Sequence, residues 1–365
     1  MNGEGKRGDR FEICPQMIQM GVFQQPTKVR GMHISEDIEK LKGTILRIQR
    51  MSTEDGLGIR STVFFKGCPL SCAWCHNPES ISEKRQLHWM KSKCIGCLSC
   101  VPVCKAGALT ATDDGIVINR AGCSPCEACS QACPTTALAV YGEECGVEDL
   151  VRELLKDRVY FEKSGGGVTL SGGEPAMQPA FAKVLLFSLK RHGVHTALDT
   201  CGQCSWETLE ALLPHTDLVL YDLKEADSEK HRQFTGTTNA RILENLKSLA
   251  RFMRECGLPR ELWIRTPLIP GCTATALNLK RIGEFIREHL GSLTGRWELC
   301  TFNNLCIDKY DGLGIDWGFR NCSLVTEAEA NRLGTAAAGS GVDPGIIHIS
   351  GPMSREIRMV VKNCR

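Results

Sequence analysis

Cysteine placement constrains this chain more than any other feature of its sequence. Cys68, Cys72 and Cys75 stand in Gly67-Cys68-Pro69-Leu70-Ser71-Cys72-Ala73-Trp74-Cys75, spaced x3 and then x2. Three thiolates this close can hold three corners of a cubane iron–sulfur cluster and leave the fourth iron open. A cluster that only carries electrons is closed by four cysteines. An open metal position is what catalytic sites keep for substrate. The competing reading is a structural zinc knot, but zinc ligands usually come as C-x2-C pairs with a second pair downstream.

Two longer runs follow. Cys94, Cys97, Cys100 and Cys104 repeat the spacing of Cys123, Cys126, Cys129 and Cys133, the latter run ending in Pro134. Each matches the bacterial ferredoxin run, in which the fourth cysteine ligates the other cluster. That rule assigns Cys94, Cys97, Cys100 and Cys133 to one cluster and Cys123, Cys126, Cys129 and Cys104 to the other. Lys105 stands where the first run would carry proline, which alters a turn and removes no ligand. With the first three cysteines, the runs supply three [4Fe-4S] clusters. The remaining cysteines among the 21, including the Cys201-x2-Cys204 pair, read as buried or incidental thiols.

Residues around the first run carry a resemblance. Ser52-Thr53-Glu54-Asp55-Gly56-Leu57-Gly58-Ile59-Arg60, the strand-like Thr62–Lys66, the three cysteines and Trp74 together resemble the radical SAM (S-adenosylmethionine) enzymes. The match is to the subgroup that activates glycyl radical enzymes, the pyruvate formate-lyase activating enzyme family. Gly172-Gly173-Glu174-Pro175 looks like that family's GGEP motif, which contacts the methionyl amino group of SAM. As bare sequence it would be a glycine turn. Asp199 falls in a segment whose aspartate, in the family, helps hold a monovalent cation; an Asp capping the next turn is the equal alternative. Asp222-x-Lys224 follows the family pattern, with Lys224 facing cofactor or substrate peptide. Arg265 is a charge inside an apolar strand, read equally as a SAM contact or a buried ion pair. Where the family places a histidine near the adenine, this chain has Asn303.

Short apolar runs alternate with amphipathic stretches along the rest of the chain. Expected strands are Thr62–Lys66, Val168–Ser171, His195–Asp199, Leu218–Leu223, Leu262–Pro267 and Trp297–Phe302. Expected helices are Val147–Lys156, Pro179–Arg191, Ser205–Leu213, Asn239–Glu255 and Leu277–His289. The alternation predicts parallel βαβ units, and six of them fit the incomplete (β/α)6 TIM-like barrel that the resemblance implies. The division expected is an N-terminal extension (1–42), a partial barrel (43–85 and 143–320), an inserted 2[4Fe-4S] ferredoxin-like domain (86–142) and a C-terminal segment (321–365). Thr326–Ala338 in the last reads as a helix, while Gly345–Ser350 is apolar and unplaced. Chemistry in such barrels sits at the C-terminal ends of strands, where Cys68–Cys75, Gly172–Glu174, Asp199, Lys224 and Arg265 all fall.

Lys+Arg 44 against Asp+Glu 42, a net charge of +2, points to neither nucleic acid nor an anionic membrane. The start lacks an apolar signal core and no run is long enough to span a bilayer, so a cytoplasmic, oxygen-sensitive monomer is expected. The resemblance implies reductive cleavage of SAM to a 5′-deoxyadenosyl radical, which takes a Cα hydrogen from a glycine of a partner glycyl radical enzyme. It implies a flavodoxin or ferredoxin as reductant. Two alternatives remain beside it: a radical SAM enzyme acting on a small molecule or an anaerobic ribonucleotide reductase, and an iron–sulfur electron-transfer protein.

Overall fold

The computed structural model describes residues 41–354. All but the last two residues of the expected N-terminal extension lie outside it. A nine-stranded mixed sheet organises the described residues, in the order β13-β12-β11-β10-β9-β8-β2-β1-β7. Its strands are β1 (Lys42–Ser52), β2 (Arg60–Phe65), β7 (Glu143–Gly146), β8 (Gly167–Gly172), β9 (His195–Thr200), β10 (Leu218–Asp222), β11 (Glu261–Leu268), β12 (Thr294–Thr301) and β13 (Ile347–Ser350). From β2 to β13 every neighbouring pair is parallel. β1 runs antiparallel to both β2 and β7.

Two small ribbons lie between β2 and β7. β3 (Gln86–Trp89) pairs with β6 (Leu138–Tyr141), and β4 (Leu109–Thr112) with β5 (Gly115–Ile118). Around the parallel strands run α2 (Val147–Leu154), α3 (Arg158–Ser164), α4 (Pro179–Arg191), α5 (Trp206–Glu210), α6 (Ser228–Thr235), α7 (Ala240–Cys256), α8 (Ala276–Phe285), α9 (Ile307–Leu313) and α10 (Glu327–Ala338); α1 (Ala128–Gln131) sits in the ribbon region.

Local chemistry explains most of this. β8 and β10 are buried along almost their whole length, and β10 reads as the near-continuous apolar run of a parallel strand under helices. α4 opens on Pro179, whose missing N–H costs nothing at a helix start. α7 places Ile242, Leu246, Leu249 and Met253 on one buried stripe and stops at Gly257, which takes the left-handed cap at φ 65°. α10 starts at Thr326, whose hydroxyl accepts from the Glu329 amide.

All six expected strands form, in the expected order. Three more belong to the sheet. β1 mixes polar and apolar residues without clean alternation, because both its neighbours are antiparallel and its faces are only half covered. Gly345–Ser350 contains β13, which extends the sheet beside β12, and α10 covers it. The C-terminal segment set apart by sequence thus shares the core: Ala330, Leu333 and Ala337 belong to the same apolar cluster as the strands. A second cluster, with Leu87, Cys100, Leu109, Ile116, Cys129 and Leu138, serves the ribbons alone.

Candidate active site

The three-cysteine loop leaves β2 at the C-terminal edge of the parallel sheet and is held from several sides by its own backbone. Gly67 and Cys68 donate to Ser80 O and Ile81 O at 2.7 and 3.0 Å. Ser71 and Ala73 donate to Thr235 O and Phe234 O at the end of α6, both at 2.9 Å. Gly236, at φ 87°, follows them, and a Cβ there would lie 2.6 Å from Ser71 Oγ. From the far side Trp317 Nε1 donates to Ala73 O at 2.9 Å, Tyr310 Oη to Cys75 O at 2.8 Å and Lys309 Nζ to His76 O at 2.8 Å. Trp317 lies flat on Tyr310, ring centroids 4.7 Å apart. Nearly every turn of the loop is tied, so its thiols are presented by a fixed backbone.

Those thiols differ in environment. Burial pushes Cys72 up to about 11 and Cys75 higher still. Cys68 is held below its ordinary value because its sulfur accepts a hydrogen bond from the Cys201 thiol. Sequence alone left Cys201 as incidental; in the fold it ends β9 beside the loop. Lys224, whose charge burial opposes, is kept fully cationic by Asp222 and Cys72. A cation at the rim favours thiolates, the form that ligates metal.

Gly172 and Gly173 have a steric reason to be glycine. Gly172 sits at φ 102°, and a Cβ on it would stand 2.5 Å from Phe65 N. On Gly173 a Cβ would stand 2.2 Å from Gly67 O. Gly173 donates to Phe65 O at 2.9 Å and Glu174 to Gly67 O at 2.8 Å, which continues the β2–β8 ladder into the cysteine loop. The Glu174 carboxylate is wholly buried and accepts from Ala176 N at 3.0 Å, Thr200 Oγ1 at 2.9 Å and Cys201 N at 2.8 Å. Its intramolecular partners are thus the ends of β8 and β9, and burial raises its pKa.

The charged residues converge on the adjacent strand ends. Lys224 Nζ donates to Asp222 Oδ2 at 2.5 Å. Arg265 faces Glu298 at 3.3 Å, Asp199 at 3.6 Å and Asp55 at 4.0 Å. Asp199 accepts from Ser171 Oγ at 2.5 Å. Burial, reinforced by Asp222 and Asp55 and opposed by Arg265, lifts Asp199 to about 7. Two cations and four carboxylates around one strand-end face suit a zwitterion such as an amino acid, with opposite charge available to each end. Of the two alternatives read for Arg265, the ion pairs with Glu298, Asp199 and Asp55 are present, and they leave a SAM contact equally open.

Trp74 packs into an apolar cluster with Ile269, Phe302, Tyr310 and Trp317 and lies 5.9 Å from Phe234. Asn303 follows β12, and its Oδ1 accepts from Leu305 N at 3.1 Å. Beside it is a residue that sequence reading passed over. His76, directly after Cys75, has its ring 6.1 Å from Phe302, is held neutral by burial, and has no hydrogen-bond partner at Nε2 among the described residues. Its position next to the last loop cysteine was the available signal.

The two ferredoxin runs fold into two cavities. One is lined by Cys104, Cys123, Cys126 and Cys129; the other by Cys94, Cys97, Cys100 and Cys133. The fourth cysteine of each run crosses to the other cavity. Among the described residues no three His, Cys, Asp or Glu side chains converge tightly enough for one metal ion. Corners of a cubane stand farther apart than the four ligands of a single zinc. Each cavity gathers four cysteines, the donor set that a four-iron cluster takes.

Residues 122–276 match the Radical SAM superfamily, residues 93–138 a 4Fe-4S dicluster domain and residues 54–101 a 4Fe-4S single cluster domain. The isethionate sulfite-lyase activating enzyme of Nitratidesulfovibrio vulgaris is 43% identical over 277 residues, covering 74% of this chain and 87% of that protein. The (2S)-3-sulfopropanediol dehydratase activating enzyme of Klebsiella oxytoca is 36% identical, covering 77% and 89%. The choline trimethylamine-lyase activating enzyme of Oleidesulfovibrio alaskensis is 36% identical, covering 80% and 94%. With a clamped three-cysteine loop at the strand ends and relatives matched over most of their length, the chain belongs to the radical SAM activating enzymes of glycyl radical enzymes.

Proposed function

We propose that this chain cleaves SAM reductively at Cys68, Cys72 and Cys75 and generates a glycyl radical on a large partner enzyme. The observation that carries the reading is the loop itself: three cysteines, free of disulfides, on a backbone tied at Cys68, Ser71, Ala73 and Cys75, facing the charged strand ends. A [4Fe-4S] cluster bound there would supply an open iron and one electron, cleaving SAM to methionine and a 5′-deoxyadenosyl radical that takes the glycine hydrogen.

The chain's own residues bind and orient. Arg265 and Lys224 are placed for the SAM carboxylate, Asp199 and Asp222 for its ammonium or for a monovalent cation. Gly172 and Gly173 let β8 approach the loop, and Glu174 holds the ends of β8 and β9 in register behind it. Trp74 and Phe302 keep water from one side, and Asn303 with His76 offers polar edges on the adenine side. Glycine is the fitting target because only a residue without a side chain lets its Cα approach a radical this closely.

In this reading the parallel strands are an incomplete (β/α)6 barrel, with residues 86–142 inserted as a ferredoxin-like unit of two clusters. Cys94, Cys97, Cys100 and Cys133 would hold one, and Cys104, Cys123, Cys126 and Cys129 the other. They relay electrons from a flavodoxin or ferredoxin. Among the described residues no helix is long and apolar enough to cross a membrane; the chain is read as a cytoplasmic monomer. The relatives serve lyases and dehydratases of different substrates, so partner choice belongs to the surface around the site rather than to the SAM machinery.

The test is 5′-deoxyadenosine release by anaerobically reconstituted protein given SAM and dithionite. Release from wild type that vanishes in Cys72→Ala is expected. No release from protein loaded with iron at all three sites would sink the reading and bring the electron-carrier alternative forward.

A further inference from the structure

The two cluster cavities differ in how they meet the rest of the molecule. Each has one exposed cysteine, Cys97 in one and Cys126 in the other, so exposure does not rank them. Their walls do. The Cys94/Cys97/Cys100/Cys133 cavity is walled by Ile95 and Leu98, which are 67% and 39% exposed. β3 lends a wall residue to each cavity, Trp89 to that one and Leu87 to the Cys104/Cys123/Cys126/Cys129 cavity, but it is the Leu87 carbonyl that is tied to the sheet domain.

Two side chains tie β3 to that domain: Lys66 Nζ donates to Gln86 Oε1 at 3.0 Å, and Arg120 reaches across from the ribbons. Its Nη1 donates to Leu87 O and its Nη2 to Gly312 O, both at 2.7 Å. Gly312 lies in the last turn of α9, where backbone carbonyls have no helical partner and take arginine well. His88, next to Leu87, packs so closely on the same turn that a Cβ at Gly312 would lie 2.1 Å from its Nε2. α9 is also the helix whose Lys309 and Tyr310 tie down His76 O and Cys75 O. One short chain of contacts therefore runs from the wall of one cavity through Arg120 and α9 to the backbone of the third loop cysteine. Arg120 also precedes Cys123 by three residues, which puts its cation beside that cavity.

We propose that Arg120 is the positioning residue that fixes the Cys104/Cys123/Cys126/Cys129 cavity, as the inner of the two, against the three-cysteine site. This rests on the radical SAM reading above. A cluster held by Cys104, Cys123, Cys126 and Cys129 would take one electron from a low-potential one-electron carrier and, on being reoxidised, pass that electron to a cluster held by Cys68, Cys72 and Cys75. No bond forms or breaks in the module. The Cys94/Cys97/Cys100/Cys133 cavity lies on the entry side.

Arginine at this position does two separable things. It bridges two carbonyls with a rigid fork, and it places a positive charge beside the inner cavity. Lysine keeps the charge and loses the fork. Arg120 is solvent-accessible, so its replacement empties no core. Reconstituted wild type, Arg120→Ala and Arg120→Lys would be compared at matched iron content, with reduced methyl viologen as donor. Two quantities are read by electron paramagnetic resonance: the midpoint potentials of the module clusters, and the freeze-quench rate at which the SAM-responsive signal appears.

In Arg120→Ala one module potential should fall while the other holds, since losing a nearby cation makes reduction harder; in Arg120→Lys both should stay near wild type. The rate should drop severalfold in both variants, since electron transfer slows exponentially with the separation of donor and acceptor. A wild-type rate in Arg120→Ala overturns the proposal. A wild-type rate in Arg120→Lys alone overturns the bridging role, and no change in either module potential overturns the placement of the cation. A wild-type signal indifferent to SAM would remove the radical SAM reading, and this proposal with it.

Discussion

Gly173 shows how little room the site leaves at single positions. A methyl group there points at Gly67 O from 2.2 Å, and the obstacle is backbone that cannot swing aside. Gly173→Ala should destabilise the protein by about 1–3 kcal/mol, the usual cost of overpacking, in denaturant unfolding; wild-type stability would mean that the β2–β8 contact is looser than drawn here. Asp199 gives a pH signature. Its pKa rises from 3.8 to about 7 on folding, so between those values the folded state binds more protons than the unfolded one. Stability contributed by this group therefore falls as pH rises through that window. Urea unfolding at a series of pH values should show that fall in wild type and lose it in Asp199→Asn. An unchanged slope in the variant would assign the pH dependence elsewhere.

At the scale of elements, α9 matters more than its seven residues suggest. It carries Lys309 and Tyr310 to the cysteine loop at one end and accepts Arg120 at the other. Tyr310→Phe removes the only side-chain oxygen on Cys75 O that α9 offers. The expected cost is roughly 1 kcal/mol for one hydrogen bond to a part-buried carbonyl. Trp317 would keep the ring in place by stacking, so the loss should register as a lower unfolding midpoint with an unchanged denaturant slope. A change in slope would instead mean that the element comes loose. Lys309 has a second duty: at 2.9 Å it joins Arg47, at 3.1 Å, in neutralising Glu79, which is only 2% exposed. Burying a carboxylate without both cations is costly, and this pairing ties the residues after Cys75 to β1.

At the scale of the molecule, two apolar cores serve two tasks. The large one builds the sheet and its helices, and the small one closes around the paired cavities. Iron content should report them independently. Fully reconstituted wild type is expected to hold about twelve iron atoms, four per cubane, and Cys72→Ala about eight. A triple Cys123→Ser, Cys126→Ser, Cys129→Ser variant should also fall to about eight, while keeping the SAM-responsive signal of the three-cysteine site when dithionite reduces that site directly. Loss of that signal together with the module iron would show that the two units fold as one.

The local pattern of residues was enough to determine the six parallel strands, the clustering of cysteines, and which strand ends carry charge. Period, spacing and residue type act over a few neighbours, and Cys68-x3-Cys72-x2-Cys75 or Gly172-Gly173-Glu174 are local facts. The pattern of the two runs also led to expecting Cys104 beside the second run and Cys133 beside the first, and the cavities are lined that way. Tertiary structure decided what depends on distant segments meeting. β13 pairs with β12 across 46 residues, from Thr301 to Ile347. Cys201 meets Cys68, Glu174 spends its carboxylate on Thr200 and Cys201, and Arg120 reaches Gly312. None of those partners is within reach along the chain. Each exists because assembling the sheet and docking α9 place backbone groups, which no periodicity announces, where a side chain can satisfy them.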